Sequence, residues 1–449
     1  MTTPDLSAVI ENGMCIGCGA CAAADPSLTL ELDPERLLYR PSHASNAAAA
    51  AVCPAVQVDF HGLEEQVFPG QQSTPYGVVD TVMLAQSTDY DRNVKASSGG
   101  LIKELLLELL ARDDVDGAIC LDHVEGLRFE PRLVRDPDEI DMLPGSIYHA
   151  VPLDKALQLL REHDGRFVLV AIPCQLEGIY SYIYTHEPLL VSKIHTTIGL
   201  LCGWLYSHHA LRAICRFKGV DFDQIEEISF RGGGPVGSLQ IRTPDGLAKV
   251  SRRIDFSYQV AFDRSFNSPR CHLCINHSNF LADIVVGDAW LPSTVKTRTG
   301  ISLLICRNPD TTELVRRMRK DGRLRTTDVT VDDIKESQKR QVVFGDFAYA
   351  YAEYRMEQGL HTPQMVGPNR SAAQLTGRRT VEEFHKDLVR KLELQGQRRY
   401  RYLWVRKATV EFPKLAKRYL NWFFVRILRV KSLLGVRKEV SREQVSIFR

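Results

Sequence analysis

Three cysteines near the beginning of the chain, in the segment CIGCGACAAADP, follow C-x-x-C-x-x-C spacing. In two-cluster bacterial ferredoxins this spacing gives three ligands to one iron–sulfur cluster, and a fourth cysteine just before a proline binds the other cluster. Here Asp25 precedes the proline, and the next cysteine followed by proline is Cys53. The spacing therefore predicts a single [4Fe–4S] centre, held by Cys15, Cys18, Cys21 and Cys53.

Two other chemistries fit part of this first pattern. A zinc site usually repeats the C-x-x-C pair or adds a histidine pair, and a redox dithiol does not need a third cysteine. Gly17 and Gly19 allow the tight curl in which three thiolates face inward and backbone N–H groups point at the sulfides. This curl and the Cys53-Pro54 dipeptide favour the iron–sulfur interpretation.

A second group of cysteines lies in AIPCQLEG, GLLCGW and PRCHLCINHSNFLADIVVGDAW, beside strand-like apolar runs. Because α/β domains assemble sites at strand ends, we expect these cysteines to converge. From the residues alone, the C-x-x-C pair also fits a dithiol or half of a zinc site. The four are Cys174, Cys202, Cys271 and Cys274.

These segments, together with KASSGGL and GSIYHAV, resemble the coenzyme F420 hydrogenase/dehydrogenase beta-subunit family, which includes plant 7-hydroxymethyl chlorophyll a reductase. The resemblance covers about residues 10–340 and is strongest at the C-x-x-C followed by LADIVVGD and at Pro-Cys-Gln. It implies FAD, one or two [4Fe–4S] clusters, and electron relay between iron–sulfur carriers and a two-electron substrate. It also implies that the second group of cysteines holds a second [4Fe–4S] cluster near the flavin, with zinc as the alternative.

A serine- and glycine-rich segment, NVKASSGGLIKELL, offers a phosphate cradle at the beginning of a predicted helix, where N–H groups and the helix dipole attract anions. The same segment also fits an ordinary helix N-cap preceded by a turn. The resemblance favours FAD at this place. The candidate residues are Lys95, Ser97, Ser98, Gly99 and Gly100.

Three further segments carry candidates for flavin contact or proton transfer. Arg231 in FRGGGPVG suits a phosphate or a flavin carbonyl, or else it is a solvated residue of a hairpin. In GSIYHAV, Ser146 is a cofactor candidate and Tyr148 and His149 are candidate catalytic proton donors, unless they are simply buried and hydrogen bonded. Asp288 in VGDAW lines the flavin or merely ends a strand.

The elements around these residues predict a mixed α+β or α/β fold. Strand-like runs such as GAICLDHV and RFVLVAIP alternate with periodic helices such as GGLIKELLLELLARDD. We expect a ferredoxin-like [4Fe–4S] module, a mixed-sheet flavin-binding core and a helical basic tail. Four domains are predicted. Residues 1–67 form the ferredoxin-like module, and residues 342–449 form the tail. Between them, residues 78–154 resemble the N-terminal region of the F420 hydrogenase beta subunit, and residues 155–341 resemble its C-terminal region, with the flavin and the second cluster.

The end of the chain is strongly basic. Residues 398–449 hold 15 Lys or Arg and three Asp or Glu, although the whole chain carries a net charge of only +2. Residues 414–438 are periodic, which predicts a basic amphipathic helix that lies on an anionic membrane surface or packs against the body or a partner subunit. Without a nucleic-acid-binding motif, we expect no nucleic acid.

Composition and motifs together predict an oxidoreductase. No apolar run reaches the roughly 18 residues of a spanning helix, and no secretory signal is recognised, so we expect a cytoplasmic protein whose tail alone could reach the inner membrane face. Eleven cysteines then indicate metal or redox use rather than disulfides. We predict an FAD- and iron–sulfur-dependent enzyme that exchanges electrons between a ferredoxin-like carrier and a small molecule, coenzyme F420 or another small or lipophilic acceptor. The alternatives are a non-catalytic electron-transfer subunit of a larger redox complex and a zinc-stabilised scaffold.

Overall fold

The computed structural model describes residues 6–44, 46–234, 237–252, 255–262, 266–294, 299–367, 378–393, 400–402, 405 and 409. The chain divides into two compact units, Met1–Leu388 and Val389–Arg449. The predicted amphipathic helix at 414–438 lies outside the described residues. In the described part of the chain, no helix is both long enough and apolar enough to cross a membrane.

The helices of the described residues range from five to 19 residues in length. They are α1 (Ser7–Glu11), α2 (Ala20–Ala24), α3 (Ala47–Ala51), α4 (Phe60–Val67), α5 (Tyr90–Lys95), α6 (Leu101–Leu110), α7 (Asp154–Glu162), α8 (Pro173–His186), α9 (His209–Lys218), α10 (Phe256–Ala261), α11 (Pro309–Lys320), α12 (Val331–Ser337), α13 (Lys339–Glu357) and α14 (Arg378–Glu393).

The strands alternate with these helices. They are β1 (Leu30–Leu32), β2 (Tyr39–Pro41), β3 (Gln57–Asp59), β4 (Ser73–Thr74), β5 (Gly77–Val78), β6 (Thr81–Ser87), β7 (Gly117–Glu125), β8 (Arg128–Val134), β9 (Phe167–Ala171), β10 (Ile194–Leu200), β11 (Glu227–Gly232), β12 (Ser238–Thr243), β13 (Gly246–Ser251), β14 (Ile284–Asp288), β15 (Ser302–Cys306), β16 (Leu324–Val329) and β17 (Gln364–Val366).

An eight-stranded mixed sheet forms the centre of the first unit, in the order β16-β6-β15-β14-β10-β9-β7-β8. The four strands β14, β10, β9 and β7 are parallel, and antiparallel strands extend the sheet on both sides. β9 (FVLVA) and the beginning of β14 (IVV) read as continuous apolar runs, as expected for parallel strands with both faces covered. The mixed α/β fold predicted from the sequence is confirmed.

Apolar cores cover both faces of this sheet. Within β9, Phe167, Leu169 and Ala171 belong to one core with α7 and α8, whereas Val168 belongs to the core with α6 and α11. This alternation follows from the strand geometry, which points successive side chains to opposite faces. The sheet takes strands from both predicted regions, 78–154 and 155–341, and the predicted domain boundaries stay predictions.

The first 67 residues pack against elements from distant parts of the chain. β3 pairs in parallel with β17, and the Gln364 N–H donates to the Val56 carbonyl at 2.9 Å. The side chain of His361 contacts the Ala55 carbonyl at 2.9 Å. The segment that carries the first cysteines is thus integrated into the fold of the larger unit.

Candidate functional site

The four N-terminal cysteines are all buried, between 5% and 8% exposed. Cys15 and Cys18 lie in the loop before α2, Cys21 lies in α2, and Cys53 follows α3. Gly17 and Gly19 have positive φ angles of 75° and 80° and give the loop its curl. A Cβ at Gly19 would collide with the backbone nitrogen of Asp154, so glycine also lets the loop lie directly on α7.

Backbone amides surround the sulfur atoms of this first set. The N–H groups of Gly17 and Ala20 donate to Cys15 and Cys18, and those of Ala55 and Val56 donate to Cys53. Burial nevertheless dominates and raises the pKa of Cys15 to about 12. The charges of the other cysteines raise the pKa of Cys18 further, so the four thiolates repel one another.

Repelling, buried sulfur atoms that accept backbone N–H bonds suit a compact cationic iron core, whose charge would offset their repulsion. The donor set therefore fits the predicted [4Fe–4S] centre chemically. The described residues hold no group of three or more His, Cys, Asp or Glu side chains arranged as a ready-made metal-ion site. The assignment of these cysteines as ligands stays a prediction.

The second set of cysteines is assembled at the carboxyl edge of the parallel strands. Cys174 is the second residue of α8, directly after β9, and Cys202 follows β10. Cys271 and Cys274 lie in and just after a 3-10 helix, Pro269–Leu273. The Cys202 N–H donates to the His277 carbonyl at 3.0 Å, which ties the two chain segments together.

The sulfur atoms of the second set also interact. Burial is the main cause that raises the pKa of Cys174 well above its ordinary value, and the charges of the other three cysteines raise it further. The pKa values of Cys271 and Cys274 rise to about 11 and about 12. The Leu205 N–H donates to the Cys271 sulfur at 3.3 Å. All four are partly exposed rather than fully buried.

The two cysteine sets meet across helix α8. Gly178 lies one turn after Cys174, and a Cβ placed on it would lie 2.6 Å from the Cys18 sulfur and 3.3 Å from the ring of Pro54. The helix that begins at the second set therefore packs on the first set with no side chain between them. This proximity could not be read from the sequence, since the relevant residues are about 160 positions apart.

A buried ion pair also lies beside both sets. Arg270 and Glu177 are 2% and 0% exposed, and their charged groups are 3.6 Å apart. The Arg270 Nε donates to the Pro54 carbonyl at 3.1 Å, and the Asn276 side-chain amide donates to Glu177 at 2.9 Å. The sequence motifs did not single out either charged residue. Their only signal was position, one residue before Cys271 and three residues after Cys174.

The proposed phosphate cradle connects α5 to α6. Ser98 and Gly99 are engaged with the sheet, because the Ser98 hydroxyl donates to the Ile301 carbonyl at 3.1 Å and the Gly99 N–H donates to the Ser302 hydroxyl at 2.9 Å. Gly100 precedes α6 with a φ of 75°. These three residues therefore shape the loop.

The other polar side chains of the proposed phosphate cradle lie near the beginning of α6. Lys95 is exposed at the end of α5. Ser146 donates to the Ser97 hydroxyl at 3.0 Å, so the structure joins two segments that the sequence motifs indicated separately. The hydroxyls of Ser97 and Ser146 and the ammonium group of Lys95 are the groups around this loop that suit an anion.

Arg231 and Asp288 form a second polar group at the same sheet edge. Their side chains are 2.6 Å apart, and Arg231 is 8% exposed, so it is not a solvated hairpin residue. Asp288 ends β14, which is parallel to the strands that precede Cys174 and Cys202. The letters GGGPVG at 232–237 have G-x-G-x-x-G spacing but join antiparallel strands, unlike the strand–helix turn of a dinucleotide fingerprint.

The two candidate proton donors have different surroundings. Tyr148 is partly buried, its ring lies 5.2 Å from that of Phe230, and burial raises its pKa. His149 is 4% exposed and its Nε2 donates to the Leu127 carbonyl at 3.0 Å. Burial holds the pKa of His149 well below its ordinary value, so the ring is neutral at pH 7. Tyr148 lies near Arg231, and the positive charge of Arg231 lowers the pKa of Tyr148 against the effect of burial.

Comparison with known proteins places this arrangement in a family. A model of the beta subunit N-terminal region of coenzyme F420 hydrogenase/dehydrogenase matches residues 82–158, and a model of its C-terminal region matches residues 164–332. A subunit of the F(420)H(2) dehydrogenase of Methanosarcina mazei is 24% identical over 324 residues, 66% of this chain and 83% of the relative. The beta subunit of the coenzyme F420 hydrogenase of Methanothermobacter thermautotrophicus is 27% identical over 241 residues, 51% of this chain and 81% of the relative.

A solved structure shows the same fold. A chain of the F420-reducing [NiFe] hydrogenase complex from Methanosarcina barkeri superposes with a TM-score of 0.51 at 20% identity, covering 66% of this chain and 98% of that chain. The two family models together match more than half of the present chain, across the sheet, α8 and the second cysteine set. The chain belongs to the coenzyme F420 hydrogenase/dehydrogenase beta-subunit family.

Proposed function

We propose that this chain is an FAD- and iron–sulfur-dependent oxidoreductase that exchanges electrons between a ferredoxin-like carrier and a two-electron small molecule. The observation that carries the proposal is the contact between the two cysteine sets, in which Gly178 of α8 packs on Cys18. Coenzyme F420 is the leading substrate, because several relatives are named for it. Another small or lipophilic acceptor is the alternative substrate. A cytoplasmic location stays a prediction.

The cysteines hold the one-electron carriers in this proposal. Each set of four thiolates suits one [4Fe–4S] cluster, with zinc as the alternative at the second set. Bound clusters supply one-electron transfer, and bound FAD supplies the pairing of two electrons. The buried surroundings of Cys15, Cys18, Cys21 and Cys53 exclude water from the first set.

Residues at the sheet edge bind and orient the flavin and the substrate. Lys95 and the hydroxyls of Ser97 and Ser146 offer donors to a pyrophosphate at the beginning of α6. The Arg231–Asp288 pair presents a fixed guanidinium and carboxylate to a polar ring edge. Tyr148, beside this pair, is the group placed to hold or pass a proton.

A second candidate function is an electron-transfer subunit without its own substrate site. Relatives at 23–27% identity are named as subunits, which favours a larger redox complex with a partner subunit. Steady-state turnover separates the two functions. The isolated chain should reduce or oxidise F420, or an artificial acceptor, if it is an enzyme, and should show no turnover without a partner if it only transfers electrons.

The cofactor content tests the proposal directly. After purification without oxygen, we expect about eight irons, matching sulfide and about one FAD per chain, because each cluster contains four irons. Cys53→Ser and Cys274→Ser should each lower the iron to about half. Cys120→Ser is the matched control, since this buried thiol lies in β7 outside both sets.

Other contents would contradict specific parts of the proposal. About four irons with one zinc per chain would assign zinc to the second set and remove the relay through it. Two clusters without flavin after gentle purification would favour the electron-transfer subunit. A Cys53→Ser variant with unchanged iron would exclude this residue as a ligand of the first cluster.

A further inference from the structure

We propose that the buried side chain of Arg270 sets how an electron is shared between the two cysteine-bound centres, by favouring the reduced form of the second centre more than that of the first. Arg270 acts through its charge and is a positioning residue rather than a catalytic residue. The inference rests on the proposed function, because it needs a cluster at each set.

The contacts of Arg270 place it between the sets. Its Nε donates to the carbonyl of Pro54, directly after Cys53. It also precedes Cys271, and its charge acts on Cys271 and Cys274 of the second set and on Cys53 of the first. One guanidinium therefore reaches both cysteine sets from a site that is 2% exposed.

The charge of Arg270 is only partly compensated. Its Nη2 is 3.6 Å from a Glu177 oxygen, too far for a hydrogen bond, and its Nη1 has no hydrogen-bond partner among the described residues. Burying an incompletely paired charge costs several kcal/mol, and an apolar residue of similar volume would often be as stable or more so. The Pro54 carbonyl and Glu177 thus engage only part of the guanidinium, and its remaining charge is available to act on the cysteine sets.

The sign of the effect follows from electrostatics. Reduction adds a negative charge to a centre, so a nearby buried cation stabilises the reduced form and raises the reduction potential. The charge of Arg270 interacts with three cysteines of the second set, Cys174, Cys271 and Cys274. In the first set it acts on one cysteine, Cys53. The second centre should therefore feel it more strongly.

Glu177 has the opposite effect on the same centre. Its carboxylate is fully buried on α8, and its charge acts on Cys174 and Cys274. Removing this negative charge should raise the potential of the second centre. The pair thus offers two substitutions of opposite sign at one place, which a simple loss of packing would not reproduce.

The test is a redox titration of both centres, followed by electron paramagnetic resonance, in the purified full chain. Cys53→Ser, which keeps only the second centre, assigns the signals. We expect Arg270→Gln to lower the reduction potential of the second centre relative to that of the first. The equilibrium constant for electron transfer from the first centre to the second should then fall at least about tenfold, which corresponds to about 59 mV for one electron. Arg270→Lys should restore most of the difference, and Glu177→Gln should shift it in the opposite direction.

Glu64→Gln is the matched control for Glu177→Gln. Glu64 is 5% exposed, accepts from the Ser73 hydroxyl at 3.1 Å, and has Arg307 and His61 as neighbours. Its substitution should leave both potentials unchanged. Iron and sulfide are measured in every variant, so that only fully loaded protein is compared.

Each outcome decides the inference. Two loaded centres with unchanged potentials in Arg270→Gln would overturn it and leave the proposed function intact. If Arg270→Gln fails to load clusters, Glu177→Gln decides alone, and an unchanged or lowered potential of the second centre overturns the inference. A wild-type chain without a cluster at the second set would overturn the inference and the proposed function together.

Discussion

Arg307, the first residue after β15, shows how much the fold depends on one buried side chain. It is fully buried, and its guanidinium donates to the carbonyls of Val78, Ser278 and Asn279. Burial lowers its pKa to about 10, so it stays charged at pH 7. It therefore satisfies carbonyl groups of strand β5 and of a loop that lies about 200 positions further along the sequence.

We predict that Arg307→Met lowers the free energy of unfolding by about 3 kcal/mol, because several buried carbonyl groups lose their donor. Urea denaturation of the full chain measures this change. Arg379→Met is the control, since the Arg379 side chain is 91% exposed and pairs with Glu383 one turn away. That exposed pair should contribute less than about 0.5 kcal/mol. An equal loss in both variants would contradict the structural role of Arg307.

Two buried histidines predict a dependence of stability on pH. The rings of His149 and His208 are 4.5 Å apart, and burial lowers both pKa values, that of His208 to about 4. At pH values between the ordinary histidine pKa of about 6.5 and these lowered pKa values, the histidines of the unfolded chain bind protons that the native rings do not bind. Stability contributed by these neutral rings is therefore complete above about pH 7 and is lost as the pH falls through 6.5 towards 4.

We expect His208→Gln to make the free energy of unfolding less dependent on pH between about 4.5 and 7 than it is in the wild-type chain. Urea denaturation across this range measures both slopes, and their difference isolates His208 from the other titrating groups. His43→Gln is the control, because His43 is an exposed residue. Equal slopes for the wild-type and His208→Gln chains would show that this ring does not contribute.

The individual ligand candidates were predictable, whereas the buried charges were not. Spacing alone selected Cys15, Cys18 and Cys21, and the structure places them together in the buried loop around α2. Nothing in the local sequence distinguishes Arg270 or Arg307 from exposed arginines. Their burial depends on loops that meet only in the folded chain, and local patterns do not contain this information.

At the scale of elements, the approach of the cysteine loop to α7 depends on Gly19. Its φ of 80° is a left-handed conformation, and a Cβ would collide with the backbone of Asp154. We predict that Gly19→Ala separates the loop from α7 and lowers the iron content of the first set. Iron analysis and urea denaturation measure the two effects.

Gly70→Ala is the matched control for this substitution. Gly70 has a similar φ of 70°, but no atom lies within 4 Å of the place that its Cβ would occupy. Its substitution should cost only the backbone strain, about 1–2 kcal/mol, and should leave the iron content unchanged. Loss of iron in both variants would indicate a general loss of folding rather than a local collision.

Local patterns also predicted several elements but not their order in the sheet. The periodic run GGLIKELLLELLARDD contains α6, and the run RFVLVAIP contains β9. The insertion of β6 between β15 and β16 was not foreseen, because it joins strands that are more than 200 residues apart. Amphipathic patterns specify which face of a strand is buried, but they do not specify its neighbours.

At the scale of the whole molecule, β17 closes the segment that carries the first cysteines. We predict that Gln364→Pro lowers the iron content of the first set, because it removes the N–H that donates to the Val56 carbonyl, three residues after Cys53. Gln364→Ala is the control, since it keeps this N–H. Iron analysis of the two variants measures the effect, and equal iron contents would show that the strand pairing does not support the site.

The parallel pairing of β3 with β17 also has a consequence for biosynthesis. About 310 residues separate Cys53 from Gln364, and a ribosome needs about half a minute to make them at roughly 10 residues per second. During that time the nascent chain exposes the N-terminal thiols without their strand partner. A cluster bound through Cys53 would therefore gain the support of this strand pairing only after residue 366 has been synthesised.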